Sequence, residues 1–191
     1  MWVIPNLTAQ YINIVCTGDT GVVYRAQGNP GSTFVWTITG GTIVEDYGDS
    51  IVVNWGDDSG AFDVRVQEIS NYGCPALPKS GKVLVSAPDI VLGSDLEICQ
   101  GESIEVDHSG VFYSYLWHDN STADSFISST EGYIRVEVSD QYGCKRSDSL
   151  YLTVHPLPIV DLGPDTSLCG IEQAYIDAGE DGILFNWSTG E

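Results

Sequence analysis

Positive charge is scarce in this sequence. Seven lysines and arginines face 27 aspartates and glutamates, which gives a formal net charge of −20 at pH 7. A chain this acidic repels phosphate groups, so neither nucleic acid nor an anionic membrane surface is expected as a partner. The acidity favours solubility, as a crowded or salty exterior would require.

Long apolar segments are also missing. No run of 18 apolar residues occurs, so no transmembrane segment is predicted. The N-terminus, "MWVIPNLTAQYINIVC", has an apolar patch and a small-residue "LTAQ" typical of the end of a secretory signal, but it lacks a basic start. We interpret residues 1–14 as an N-terminal segment that is either the remnant of such a signal, which we favour, or a first strand.

Motifs for catalysis are absent as well. The sequence contains no GxSxG, no HExxH and no phosphate-binding loop. Its three histidines, His108, His118 and His155, are scattered without a partner at catalytic spacing. Carboxylates are so abundant that a pair suited to glycoside hydrolysis would occur by accident. The chain is therefore predicted not to be an enzyme and to need no cofactor.

What the sequence does contain is a repeat marked by cysteine and tryptophan. A first cysteine is followed 20, 18 and 18 residues later by a tryptophan, in the pairs Cys16 and Trp36, Cys99 and Trp117, and Cys169 and Trp187. A second cysteine, preceded by Tyr-Gly, closes each of the first two units at Cys74 and Cys144. Self-similarity at fixed spacing indicates a modular array.

Within the units the apolar residues alternate, as in β-strands that are buried on one face. Examples are Val64 and Val66, the set Ile134, Val136 and Val138, and the set Leu150, Leu152 and Val154. Glycine, asparagine, aspartate and serine separate these short strands, and no stretch has a convincing helical period. The pattern predicts an all-β fold of tandem antiparallel β-sandwich modules.

The domain limits follow from the repeat. We predict a first repeat at 15–88, a second at 89–157 and an incomplete third at 158–191, which stops shortly after its tryptophan. The proline-containing segments "SAPDIVLGSD" and "HPLPIVDLGPD" lie between the units and are predicted to be extended, fairly stiff connectors.

The cysteines are predicted to form one disulfide in each complete module. Each second cysteine lies in a hairpin turn after a glycine, which suits a positive φ. Cys16–Cys74 and Cys99–Cys144 would tie the start of each module to this hairpin and leave Cys169 unpaired. Such bonds indicate an oxidising compartment. The alternative is that the cysteines are free, buried thiols in a cytosolic protein. A metal site is not predicted, because the sequence contains no CxxC motif and no Cys/His cluster.

Other side chains are candidates for a place in the core, for exposed contacts, for calcium binding or for glycosylation. Trp36, Trp117 and Trp187 are predicted to fill module cores, whereas Trp55, Tyr113 and Tyr115 are candidates for exposed contacts. Acidic turns offer calcium ligands without the EF-hand spacing, at Asp57, Asp58 and Asp63 and at Asp177, Glu180 and Asp181. Three asparagines satisfy N-x-S/T, a pattern expected by chance at this composition: Asn6, Asn120 and Asn186.

The first unit, "NPGSTFVWTITGGTIVEDYGDSIVVNWGDDSGAFDVRVQEISNYGC", resembles the PKD-like, immunoglobulin-like repeats of large bacterial surface proteins. The second, with "LGSDLEICQGESIEV" and "GYIRVEVSDQYGCKRSDSLYLTV", is similar to a shorter repeat of the same proteins. They carry the gliding-motility-associated label and leave the cell by type IX secretion. The resemblance covers about residues 15–191 and implies a β-sandwich array at the cell surface or in the medium.

Two functions are consistent with these features. The first is a non-catalytic extracellular repeat region, a spacer or adhesive stalk that mediates display, adhesion or contact with surface proteins or glycans. The second is an accessory carbohydrate-binding or spacer part of a secreted polysaccharide-degrading enzyme.

Overall fold

The computed structural model describes residues 12–165, 167–170, 173, 175–179 and 182–188, and within these residues it contains strands and no helix. The predicted all-β class is confirmed. The strands are β1 Asn13–Cys16, β2 Val22–Arg25, β3 Thr33–Ile38, β4 Gly41–Asp46, β5 Ser50–Trp55, β6 Gly60–Ile69, β7 Lys79–Ser86, β8 Leu96–Cys99, β9 Ile104–Asp107, β10 Ser114–Trp117, β11 Ser125–Ser128, β12 Gly132–Ser139 and β13 Lys145–His155.

The first seven strands form two sheets around one core. The larger sheet has the order β1-β7-β6-β3 and the smaller has the order β2-β5-β4. Along β6 the side chains of Val64 and Val66 are buried and that of Arg65 is exposed, as the alternation of the sequence predicts. Both sheets contribute to a single cluster of buried side chains: Val15, Tyr24, Trp36, Ile51, Val53, Trp55, Val64, Val66, Val83 and Val85.

The remaining six strands repeat this arrangement in a shorter form. The larger sheet has the order β8-β13-β12-β10, which matches the first, and the smaller sheet contains only β9 and β11. Its core cluster comprises Ile90, Val106, Tyr115, Trp117, Ile134, Val136, Val138, Leu150 and Leu152. We refer to β1–β7 as module 1 and to β8–β13 as module 2. The limits 15–88, 89–157 and 158–191 remain predictions.

Strand β1 begins at Asn13, inside the predicted N-terminal segment 1–14. Residues 1–11 of that segment, with Asn6, lie outside the described residues. From Pro156 onward the described residues contain no strand.

One pairing in each module is parallel rather than antiparallel. Strand β1 runs parallel to β7 with Cys16 opposite Ser86, and β8 runs parallel to β13 with Cys99 opposite His155. The hairpins β6–β7 and β12–β13 are antiparallel. In each module the first cysteine therefore lies where the last strand ends. The second lies in the turn that precedes that strand, directly before β13 in module 2 and five residues before β7 in module 1.

The connector between the modules is fixed to module 2. Its Ile90 is only 6% exposed and belongs to the module 2 core. The backbone N–H of Leu92 donates to Asp148 Oδ2 at 2.7 Å, and Asp95 Oδ1 accepts from the N–H of Tyr151 at 2.7 Å. These contacts agree with the stiff connector predicted from "SAPDIVLGSD".

Candidate functional site: the junction between the modules

A disulfide joins the two modules. Cys16 is bonded to Cys144, 128 residues later in the chain, with Cα atoms 5.3 Å apart. The predicted pairing of Cys16 with Cys74 and of Cys99 with Cys144 is wrong. Cys74 and Cys99 are free and exposed, as is Cys169.

The parallel first strand explains this correction. Strands β7 and β13 contain 8 and 11 residues, and at about 3.3 Å per residue they separate the two cysteines of each module by roughly 26 and 36 Å. A disulfide requires Cα atoms about 4.4–6.8 Å apart. The end of β7 in module 1 instead meets the β12–β13 turn of module 2.

The β12–β13 turn holds Cys144 in place. One oxygen of Asp140, Oδ1, accepts the N–H groups of Tyr142 and Cys144 at 2.8 and 2.9 Å. Gly143 has φ of 84°, in the left-handed region that its lack of a Cβ permits, as predicted for the residue before the cysteine. The Cys144 side chain is 2% exposed.

On the module 1 side a second turn fixes Cys16. The N–H of Cys16 donates to Asp19 Oδ2 at 2.8 Å, and the N–H of Asp19 donates to the Cys16 carbonyl at 3.1 Å. The N–H of Thr17 donates to the Ser86 carbonyl at 3.1 Å and continues the parallel pairing. The backbone at Cys16 is therefore held by hydrogen bonds at the end of the sheet.

A hydrogen bond crosses the junction beside the disulfide. Ser86 Oγ donates to Asp140 Oδ2 at 2.6 Å. Asp140 thus uses one carboxylate oxygen to shape the turn and the other to bind the preceding module. A bond to a charged acceptor is stronger than one between neutral groups. Sequence reasoning did not identify Asp140 or Ser86. The only signal in the sequence was that Asp140 begins a turn that contains a glycine.

The calcium candidates do not converge. No group of three histidine, cysteine, aspartate or glutamate side chains suited to a metal lies among the described residues. Asp57 and Asp58 are exposed, and Asp63 pairs with Lys82 Nζ at 3.2 Å. Asp177 is exposed, while Glu180 and Asp181 lie outside the described part of the chain.

The three repeat tryptophans have different environments. Trp36 and Trp117 are 8% and 2% exposed, and their indole N–H groups donate to the carbonyls of Gly48 and Ala123, each at 2.8 Å. Trp187 is 37% exposed. The expectation that Trp187 fills a core is therefore wrong in this structure, because no strand forms around it among the residues described beyond module 2.

The aromatic surface differs from the one expected. Trp55 and Tyr115 are buried, at 3% and 8% exposure, whereas Tyr113 is 78% exposed. The structure adds a pair that sequence reasoning missed, since Tyr133 and Tyr151 lie opposite each other on β12 and β13 with ring centroids 4.9 Å apart. The negative charge of nearby Glu131 raises the pKa of Tyr151.

The remaining candidates are dispersed. His155 Nε2 lies 2.9 Å from Glu97 Oε2, and His118 packs against Phe126. Both potential glycosylation sites within the described residues, Asn120 and Asn186, are exposed. None of these residues lies with a nucleophile and a base in one arrangement that would support a reaction.

Comparisons with known proteins do not assign the chain to a family. No family model and no curated protein matches it. Among the described residues no helix is long and apolar enough to cross a membrane.

Several solved structures resemble this chain, with low sequence identity and low TM-scores. SGBP-B of the Bacteroides ovatus mixed-linkage glucan utilization locus, solved with a mixed-linkage heptasaccharide, is 17% identical with a TM-score of 0.35, and 79% of this chain matches 46% of that one. The insect immune protein hemolin is 14% identical with a TM-score of 0.37, over 80% and 46%. Fibronectin(III)-like modules of Clostridium thermocellum CbhA are 13% identical with a TM-score of 0.33, over 75% and 90%.

The chain thus spans less than half the length of the first two proteins. At these identities and TM-scores the likenesses carry no argument about function.

Proposed function

We propose that this chain is a non-catalytic extracellular repeat region that acts as a spacer or adhesive stalk in a bacterial surface protein. The observation that carries the proposal is the Cys16–Cys144 disulfide, because it joins two folded modules instead of stabilising one. A covalent bond across a junction restricts bending between modules, which a spacer requires. Structural disulfides persist in oxidising compartments, which supports an extracellular or cell-surface location.

The connector supports the same function. Its hydrogen bonds to Asp148 and from Tyr151, together with the buried side chain of Ile90, fix it along module 2. The Ser86–Asp140 bond adds a contact from the other side. Two modules joined by a docked connector, a disulfide and a hydrogen bond form a stiffer unit than two modules on a free linker.

The finer assignment rests on resemblance. The repeats resemble those of gliding-motility-associated proteins, and on that basis we propose type IX secretion and attachment or release at the cell surface. The net charge of −20 suits a soluble, exposed region.

Small-angle X-ray scattering tests the spacer function. We expect the monomer that holds the Cys16–Cys144 bond to show one maximum dimension that does not change with salt, and the monomer of Cys144→Ser to show a broader distribution of dimensions. Cys74→Ser is the matched control, because Cys74 occupies the same turn in module 1 and is free. A Cys144→Ser profile identical to that of the unchanged chain would contradict a stiffening role for the junction.

A second candidate function is glycan contact as an accessory part of a polysaccharide-degrading enzyme. It is favoured by the exposed side chains of Tyr113 and Tyr133, the latter in contact with Tyr151. Aromatic side chains with one exposed face suit contacts with sugar rings. Affinity electrophoresis in gels with and without dissolved β-glucan distinguishes glycan contact from a spacer function. Glycan contact requires that the glucan slow the migration of the protein and that Tyr133→Ala reduce this effect.

A further inference from the structure

The exposed Cys74 and Cys99 are equivalent to the two cysteines that form the junction. Cys74 corresponds to Cys144 in the turn before the last strand, and Cys99 corresponds to Cys16 at the end of the first strand. The structure contains one completed bond of this type. Modules 1 and 2 also hold one unused copy of each half, Cys74 and Cys99, while the free Cys169 lies on no described strand.

The turns that hold Cys74 and Cys144 are closely matched. In module 1 the N–H of Ser70 donates to the Cys74 carbonyl at 2.9 Å, and in module 2 the N–H of Asp140 donates to the Cys144 carbonyl at 3.0 Å. The N–H of each cysteine donates to the side chain of that same turn residue, at 3.1 Å for Ser70 and 2.9 Å for Asp140. The preceding glycines have φ of 80° and 84°.

The strand ends that hold Cys16 and Cys99 are matched in the same way. The N–H of Cys99 donates to Glu102 Oε2 at 2.8 Å, as that of Cys16 donates to Asp19 Oδ2 at 2.8 Å. The N–H of Gln100 donates to the His155 carbonyl at 2.8 Å, which corresponds to the bond from Thr17 to Ser86. The backbone at Cys99, at the end of its sheet, is therefore held by the same kinds of hydrogen bond as the backbone at Cys16 in the junction.

The two free cysteines differ from the bonded pair in what covers them. Tyr72 and Tyr142 occupy the same place in their turns, yet Tyr72 is 87% exposed and Tyr142, at the junction, is 46% exposed. Cys144 is 2% exposed, whereas Cys74 is exposed. The module 1 turn thus has the junction geometry without a neighbouring module against it.

We propose that Cys74 and Cys99 are the two open halves of a repeating intermodule disulfide. Cys99 bonds the Tyr-Gly-Cys cysteine of another module of this kind, which a second copy of this chain supplies as its Cys74. The link is head-to-tail, because each copy contributes a different surface, so it leaves one free half at each end and permits open chains of copies. The proposal goes beyond the spacer function and relies on it only for an oxidising surrounding.

The chemistry is disulfide exchange with a small-molecule disulfide such as oxidised glutathione. The Cys99 thiolate attacks the oxidant and forms a mixed disulfide, which expels one glutathione thiolate. The Cys74 thiolate of the second copy then attacks the protein sulfur of that mixed disulfide and expels the other thiolate. Two protein thiols are oxidised, one glutathione disulfide is reduced to two glutathiones, and the two protein protons pass to water or to the leaving thiolates.

A mixing experiment tests this pairing. Two full-length variants are prepared, Cys74→Ser/Cys169→Ser, which retains Cys99, and Cys99→Ser/Cys169→Ser, which retains Cys74. They differ in mass through an isotope label and are equilibrated together in a glutathione redox buffer. Random pairing gives the heterodimer at about twice the amount of each homodimer. A tenfold enrichment above that ratio corresponds to a preference of about 1.4 kcal/mol in the free energy of pairing.

We expect the Cys74–Cys99 heterodimer to exceed the random ratio by about tenfold. The Cys169→Ser chain, which retains both halves, should form a ladder of species beyond the dimer. A random mixture, a preference for Cys74–Cys74 or Cys99–Cys99, or a Cys74–Cys99 bond within one copy would overturn the proposal. Each of these results would leave the spacer function intact, because scattering of the single chain tests that function separately.

Discussion

Asp140 is the residue on which the junction most depends apart from the cysteines. Its carboxylate accepts two backbone N–H groups of the Tyr-Gly-Cys turn and the hydroxyl of Ser86. Ser70, at the equivalent place in module 1, offers one hydroxyl that accepts the N–H of Cys74. The Tyr-Gly-Cys turn therefore occurs in both modules, but only in module 2 does its first residue also bind the other module.

This contrast gives a matched pair of variants. Asp140→Ala removes charged hydrogen bonds and is expected to lower the free energy of unfolding by about 1.5–3 kcal/mol, against about 1 kcal/mol for Ser70→Ala. Chemical denaturation followed by tryptophan fluorescence measures both. Equal losses for the two variants would show that Asp140 does no more than shape its own turn.

Trp117 and Trp187 provide a second pair at the residue scale. Trp117 is 2% exposed and stacks on Phe126 with ring centroids 4.9 Å apart, whereas Trp187 is 37% exposed. Trp117→Ala is expected to cost about 3–5 kcal/mol because it opens a cavity in the module 2 core. Trp187→Ala should cost less than about 1 kcal/mol. Thermal unfolding of the two variants checks this, and similar losses would mean that Trp187 also fills a core.

At the scale of elements, the parallel first strand decides what the cysteines can reach. Hydrophobic alternation predicted the strands and their buried faces, for example Ile134, Val136 and Val138. It could not predict the direction in which β1 and β8 pair with β7 and β13, because alternation indicates which face of a strand is buried and not the direction of the strand beside it. That direction places Cys16 far from Cys74.

The repeat spacing left the same ambiguity. The second cysteines, Cys74 and Cys144, are 70 residues apart, and this spacing is compatible with a bond inside every module and with a bond between successive modules. Cysteine positions alone do not define connectivity. The burial of Trp55 and Tyr115 was missed although the alternation carried the signal, since Trp55 lies two residues after the buried Val53 and Tyr115 two residues before the buried Trp117.

A loop before β3 is fixed by a carboxylate of β6. Glu68 Oε1 accepts the backbone N–H of Asn29 at 2.8 Å and its side-chain N–H at 3.2 Å. The backbone hydrogen bond from Asn29 is the main cause that lowers the pKa of Glu68. Because the folded pKa is lowered, the contact stabilises the fold above the unfolded pKa and is lost as the pH falls through the folded value.

We therefore expect the Glu68 carboxyl to titrate below its ordinary value of 4.5. A pH titration followed by NMR measures this, and the amide of Asn29 should shift at the same pH as the Glu68 side chain. Glu68→Gln is the control, in which the Asn29 amide should lose that transition. A Glu68 pKa at or above the ordinary value would contradict the contact.

For the whole molecule, the net charge of −20 is the dominant electrostatic property. Few lysines and arginines offset it, and the described ion pairs Lys82–Asp63 and Lys145–Glu137 are exposed. Repulsion among carboxylates is expected to destabilise the folded chain at low ionic strength.

Raising sodium chloride from about 0.01 to 0.15 M shortens the Debye length from about 30 to 8 Å. The melting temperature should therefore rise over this range. Scanning calorimetry in a buffer of constant pH measures the change. A melting temperature that falls with added salt would show that attractive surface pairs outweigh the repulsion.

The central claim is that one disulfide joins module 1 to module 2. Peptide mapping of the non-reduced protein by mass spectrometry, with free thiols blocked before digestion, tests it most directly. The account predicts a linked peptide pair that contains Cys16 and Cys144, with blocked thiols at Cys74 and Cys99 in the monomer. Linked peptides that join Cys16 to Cys74 and Cys99 to Cys144 would contradict it.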